Sequence, residues 1–268
     1  MKYIDLNAWL GSWPFRALRD NTPDTLIRRL DRAGIGTAAV SRIEAILHRS
    51  VQPANERLAE DLQGFTDRLI PMATINAADR NWEGDLRRCH EDLGMKGARL
   101  FPQYHEFAVD GPESRRVVAA CRERGLPVFI PHRIEDVRQR HWMDPGRMLD
   151  LNGAANLIAA VTGATIVIPN ARGITGSPVW QRREIRDRDW YFDLSLSEVH
   201  YSLSQNVNQM RDLSDFIDQG GGDHLVFGTH APFSYPSAAR VKCAVLPVDE
   251  KTLEEICYKR AERLLDIP

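Results

Sequence analysis

The sequence predicts an α/β protein of the (β/α)8, TIM-barrel type, on three observations. Short apolar runs alternate with longer amphipathic segments through all 268 residues. Eight such runs occur, mostly too short and too uniformly apolar for half-exposed antiparallel sheet, and they suit strands buried on both faces of a parallel sheet. The length fits one barrel of about 250 residues, so 1–268 is taken as a single domain, with a doubly wound open sheet as the competitor.

The first strand is expected at Tyr3–Ala8, and Asn21-Thr22-Pro23-Asp24 then opens a helix over Pro23–Ala33 that stops at Gly34. A second strand, Thr37–Arg42, leads to a helix over Pro53–Leu62, and a third strand, Leu69–Ile75, to a helix over Trp82–Leu93 closed by Gly94. Strand Gly97–Phe101 precedes Asp110-Gly111-Pro112-Glu113, a start signal for Pro112–Arg124. Gly125 ends that helix before strand Pro127–Ile130. The remaining pairs are helix Gly146–Val161 with strand Thr165–Ile168, strand Trp190–Leu196 with helix Ser204–Gln219, and strand Leu225–Gly228 with helix Lys251–Leu265. No linker, short repeat or domain boundary interrupts the pattern.

Formal net charge is −2 with both signs interspersed, which points away from nucleic acid and membrane surfaces as partners. Cys89, Cys121, Cys243 and Cys257 are widely spaced and read as reduced packing thiols; Cys243 falls in a late connecting segment. No basic-then-apolar leader and no membrane-spanning run is present, so a cytoplasmic location is expected.

Several passages carry a family resemblance. The apolar Leu225-Val226-Phe227 runs into Gly228-Thr229-His230-Ala231-Pro232. Ile4-Asp5-Leu6 opens the chain, and Asn55-Glu56-Arg57-Leu58-Ala59 precedes Phe65-Thr66-Asp67-Arg68-Leu69-Ile70-Pro71. Met95-Lys96-Gly97-Ala98-Arg99-Leu100, Gly125-Leu126-Pro127-Val128 and the closing Ile256 with Ala261-Glu262-Arg263-Leu264-Leu265 follow in order. Together they resemble the amidohydrolase-2 group of the amidohydrolase superfamily, its decarboxylase and lactonase-like branch, over nearly the whole chain. Fold is the stronger implication, because this barrel hosts many reactions.

The resemblance implies metal-ligand positions that this chain fills differently. Asp-x-His-x-His on strand one is here Asp5-Leu6-Asn7-Ala8-Trp9. The strand-five histidine position falls on Pro131 or, shifted by one, on His132, and the strand-six histidine becomes Asn170. The strand-eight aspartate, which in the family holds metal and takes a proton from water, is His230. An indole cannot ligate a divalent ion and a carboxamide oxygen is a weak zinc ligand, so no metal or other cofactor is expected, although loop residues His105 or His141 leave a zinc rescue open.

Strand C-termini and the loops after them form the active face of such a barrel. The candidate catalytic residues are therefore His230 as acid or base, Asn7 and Asn170 as oxyanion donors, and His132. Trp9, Arg99, Tyr104, His105, Arg133 and Arg172 are the candidate substrate-binding residues. Arginine forks suit carboxylates, so a small anionic molecule is the expected partner, and a homodimer is left open. The leading expectation is a metal-independent hydrolase of an ester, lactone or amide. The alternatives are a lyase (decarboxylase or dehydratase) on a carboxylated substrate, and a non-catalytic ligand- or partner-binding barrel.

Overall fold

A computed structural model describes residues 1–136, 138–195 and 208–267. Its strands are β1 (Ile4–Leu10), β2 (Thr37–Arg42), β3 (Leu69–Pro71), β4 (Ala73–Thr74), β5 (Ala98–Arg99), β6 (Val128–Phe129), β7 (Ile166–Ile168), β8 (Trp190–Asp193) and β9 (Leu225–Val226). All neighbouring pairs are parallel, in the order β1-β2-β3 and β4-β5-β6-β7-β8-β9. β3 and β4 are two halves of the one strand expected at Leu69–Ile75, and Met72 between them donates its N–H to Val40 O. The ends meet where Leu6 N donates to Phe227 O (3.0 Å), His230 N to Asn7 O (2.7 Å) and Trp9 N to Ala231 O (2.8 Å). Eight strand positions thus close into a (β/α)8 barrel.

Three layers fill it. Ile4, Leu6, Ala39, Ile70, Met72, Phe129, Val167 and Val226 form the lower interior, sealed by Ala261 and Leu265 of the last helix. Arg99 crosses the middle. Trp9, Trp13, Ile43, Ile46, Phe101, Ile134 and Phe233 cap the upper end. Outside, helices such as Pro23–Arg32 bury their apolar stripe (Leu26, Leu30) against the sheet. No helix among the described residues is long and apolar enough to cross a membrane.

Four helical segments differ from expectation. The helix expected from Gly146 begins at Leu151, because the Asp150 side chain accepts from Asn152 N and fixes the start there. Pro236–Val245 is helical, with Pro236 in its first turn, so Cys243 sits on a helix. The helices expected over Trp82–Leu93 and Lys251–Leu265 each contain a π-type turn, at Arg88–Asp92 and Glu255–Lys259. The end of the strand expected to reach Leu196 and the start of the helix expected from Ser204 lie outside the described residues.

Candidate functional site

β1 sets the centre of the site. Its register against β2 shifts between Asp5 and Ala8, and such a bulge re-aims the side chains beyond it. Ile4 and Leu6 face inward below the shift; Asn7 and Trp9 face the axis above it. Asp5 holds the bulge: its Oδ1 accepts from Asn7 N (2.9 Å) and Thr229 N (2.9 Å), tying β1 to the end of β9. Asn170 and His230 both adopt left-handed backbone, φ 59° and 61°, which turns their side chains to the same axis.

These residues form one closed hydrogen-bonded hub. Asn7 Nδ2 shares its two hydrogens among Asp193 Oδ2 (2.8 Å), Asn170 Oδ1 (2.9 Å) and Ser195 Oγ (2.9 Å), while Trp9 Nε1–H is shared between Asn7 Oδ1 (3.1 Å) and His230 Nδ1 (3.1 Å). The carboxylate on one side and the indole N–H on the other fix the amide's orientation. Asn170 Nδ2 donates to Arg133 O (2.7 Å), which fixes the second amide likewise. Asn7 is 1 % exposed; Trp9, Asn170 and His230 are 0 % exposed.

The same reasoning fixes the His230 tautomer. Trp9 Nε1–H points at His230 Nδ1 (3.1 Å), as does Asn170 Nδ2 (3.3 Å), so Nδ1 is the acceptor. Nε2 carries the proton and donates it to Ile134 O (2.6 Å). The ring also stacks on Phe233, centroids 4.6 Å apart. A second proton would set Nδ1–H against two N–H donors in a dry site. Burial accordingly pushes the imidazole down to about 3, with Arg16, Arg99 and Arg133 adding to the effect and the Ile134 carbonyl opposing it.

Charge is buried beneath the hub. Desolvation raises the Asp193 carboxyl, and raises Asp5 to about 6. Arg99 is lowered to about 9 by burial, against the attraction of both aspartates. Its guanidinium lies under the Trp9 ring (4.2 Å) and donates to Ala8 O (3.1 Å), Leu6 O (3.4 Å) and Ala39 O (3.0 Å).

The donor set does not fit a divalent cation. Asn7 presents N–H to the centre, its oxygen faces an indole N–H, His230 presents its one free lone pair to that same indole, and Trp9 occupies a ligand position. His132 does not complete a set. Phe129 faces inward and Val128 and Ile130 outward, so alternation puts Pro131 on the axis and His132 with the outward residues. His132 is 6 % exposed, its N–H donates to Pro169 O (2.8 Å), and burial together with Arg133 lowers its imidazole to about 4.

The open space lies beside the axis. A cavity of about 620 Å³ is lined, among the described residues, by Arg16, Arg19, Arg29, Arg138 and Lys242 against one carboxylate, Asp136. Ser195 and Thr229 also line it, as do the rings of Phe233 and Tyr235. Arg16 pairs with Glu135 (3.1 Å) and Arg29 with Asp20 (3.0 Å), and Arg138 forks onto Asp136 (2.7 and 2.9 Å).

None of the six expected substrate-binding residues lines this cavity. Trp9 and Arg99 fill the barrel axis. Tyr104 packs edge-on against Trp13 and reaches Asp144 (3.4 Å). His105 bonds Ala45 O (3.2 Å), Arg133 is buried with its carbonyl on Asn170, and Arg172 is exposed. Of the four expected catalytic residues, the structure joins the side chains of His230, Asn7 and Asn170, and His132 stands off the axis against the Asn170 backbone. Asp193 and Ser195, which the structure brings into the centre, and Lys242, which lines the cavity, are missing from the candidates the sequence suggests.

Solved structures share this fold. A 2,6-dihydroxybenzoate decarboxylase from Rhizobium is 18% identical with TM-score 0.73, over 99% of this chain and 98% of that one. A dihydroxybenzoic acid decarboxylase from Polaromonas sp. JS666, with bound manganese and an inhibitor, is 16% identical with TM-score 0.76, over 99% and 97%. A probable 2-pyrone-4,6-dicarboxylic acid hydrolase from Acinetobacter baumannii is 14% identical with TM-score 0.60, over 99% and 96%. At these identities the likeness is one of fold. A phenylalanine–tRNA ligase beta subunit from Paramagnetospirillum magneticum is 30% identical over 126 residues, 46% of this chain. The match spans only 13% of that relative's length, too little to carry its activity across. The amidohydrolase family model matches residues 19–267, and with that extent of match the chain belongs to the amidohydrolase family.

Proposed function

We propose that this chain is an anion-binding, metal-independent member of the family, holding a small carboxylated ligand in the cavity beside the barrel mouth. The observation that carries this reading is the cavity wall, which among the described residues has five cationic side chains to one carboxylate, and two aromatic rings. Guanidinium forks recognise carboxylates through paired, charge-assisted hydrogen bonds, and a cavity of this size suits a small organic molecule. The family position supports the same reading from the other side: its polar groups are spent on one another.

Hydrolysis with His230 as base finds less support. Its accepting nitrogen faces two N–H donors, its other nitrogen is bonded to Ile134 O, and it does not line the cavity. A lyase reading shares the carboxylate and draws on the decarboxylases among the similar folds. It adds carbon dioxide release, which the same ligands test.

Calorimetric titration with a panel of aliphatic and aromatic carboxylates is the test. Binding is expected, and Arg16→Ala and Arg19→Ala are each expected to weaken it by about tenfold, the worth of a charge-assisted hydrogen bond. No binding by any carboxylate, or affinities indifferent to both changes, overturns the reading. Carbon dioxide release from a bound ligand moves the assignment to a lyase.

A further inference from the structure

We infer that the outer face of the helix Pro236–Val245 docks a second copy of this chain, face to face across a two-fold axis. The inference holds whatever the cavity binds. Of the seven large apolar residues exposed among the described ones, three belong to this helix and its N-cap: Tyr235 (79%), Val241 (51%) and Val245 (59%).

Ser237, Val241, Ala244 and Val245 are exposed and lie at i, i+4, i+7 and i+8, so they share one face. That face carries no charge. The helix has two charged residues, and neither stands on it. Lys242 is buried, and half-buried Arg240 turns aside, its guanidinium over the Tyr3 ring (4.8 Å) and bonded to Ala33 O. Other helices of the barrel turn charge to water: Pro23–Arg32 exposes Asp24, Arg28, Asp31 and Arg32, and Pro112–Glu123 exposes Arg115, Arg116, Arg122 and Glu123. A helix that is apolar outside as well as inside is one whose outer face is covered.

Charge identifies the occupant. A neutral face has nothing to hold a charged partner, and it meets its own copy without repulsion. Two-fold pairing requires such self-complementarity. Val241 and Val245 supply β-branched knobs, and Ser237 and Ala244 leave room for those of the partner. The other exposed apolar cluster fails the requirement. Trp142, Met143 and Met148 share their loop with exposed Arg140 and Arg147, which self-pairing would crowd together. The helix is about 15 Å long, and a face of that length is smaller than the roughly 800 Å² per partner of a standard interface. The dimer is therefore a dissociable one, in the micromolar range.

The test is sedimentation velocity of the full chain from about 1 to about 200 µM, the span over which a micromolar dimer assembles. The mass is expected to rise from 30.4 kDa towards twice that value. Val241→Arg and Val245→Arg each set two guanidinium groups against each other across the axis, and each is expected to raise the dissociation constant at least about hundredfold. Both positions are exposed, so circular dichroism spectra matching wild type are expected. Trp142→Arg, in the other apolar cluster, is expected to leave the dimer unchanged. A mass of 30.4 kDa throughout overturns the inference, whether or not carboxylates bind. A dimer that survives both arginine changes overturns it too, as does one that Trp142→Arg dissolves.

Discussion

Asn7→Asp is the change that separates a hydrogen-bonded hub from a latent cation site. The substitution is nearly isosteric, but it puts a carboxylate oxygen where Nδ2 now donates, 2.8 Å from Asp193 Oδ2. Two carboxylates that close cannot both ionise, so the native state must keep a proton on the pair. Holding a proton on a group of ordinary value about 3.9 costs about 5 kcal/mol at pH 7.5 and about 1.5 kcal/mol at pH 5, at 1.36 kcal/mol per unit. The shared proton restores one donor, so these values approximate the whole penalty. The sign follows from linkage: a native carboxyl raised above its unfolded value binds more protons than the unfolded chain, and stability falls as pH rises through that window. Urea melts of wild type and variant at both pH values, followed by tryptophan fluorescence, give the difference. The expected result is a penalty near 3–5 kcal/mol at pH 7.5 that shrinks by about 3 kcal/mol at pH 5. A penalty below about 1 kcal/mol at both, or a variant restored by added zinc, refutes the reasoning.

Two further outcomes are expected. Asp5 is raised from 3.8 to about 6, so it binds its proton in the native state first and adds stability on acidification from pH 6 towards 4. Asp5→Asn removes that gain and steepens the acid limb by up to about 1.4 kcal/mol per pH unit, while the neutral His230 and His132 rings, lowered to about 3 and about 4, continue to lose stability below about 6.5; parallel acid limbs for the two proteins argue against it. A Cβ at Gly228 meets Asp193 Oδ2 at 2.4 Å, so Gly228→Ala is expected to lower the unfolding free energy by about 1–3 kcal/mol, read as a lower urea midpoint at unchanged slope, and a loss below about 0.5 kcal/mol contradicts the close packing.

Strand β2 is legible in the sequence to the residue, because Thr37–Arg42 is a short apolar run with helices on both sides. β1 is legible only in part: Trp9 and Leu10 continue it past the Asp5/Ala8 shift, and a bulge leaves no periodic trace. The helix Pro236–Val245 escapes because buried Lys242 and half-buried Arg240 break its apolar stripe. The replaced ligand positions, Asn7, Trp9, Asn170 and His230, stand out through the family resemblance. That the Trp9 N–H aims at His230 Nδ1, and so fixes its tautomer, needs two strands that are neighbours only in three dimensions. The cavity gave no local signal either. Its wall joins the loop at Arg16 and Arg19, the segment at Asp136 and Arg138, and a face of the Pro236–Val245 helix, all beside the axis now filled by Trp9 and Phe101. Lys242 was invisible because a lone lysine in sequence reads as surface.

Metal uptake tests the central claim most directly. Wild-type protein is incubated with excess zinc and, separately, manganese, desalted, and measured by inductively coupled plasma mass spectrometry. A hub whose amide hydrogens and imidazole lone pair are already committed predicts less than about 0.1 equivalent of either ion. Retention near one equivalent, lost in Asn7→Ala and His230→Ala, would contradict it and return the family's metal chemistry to this barrel.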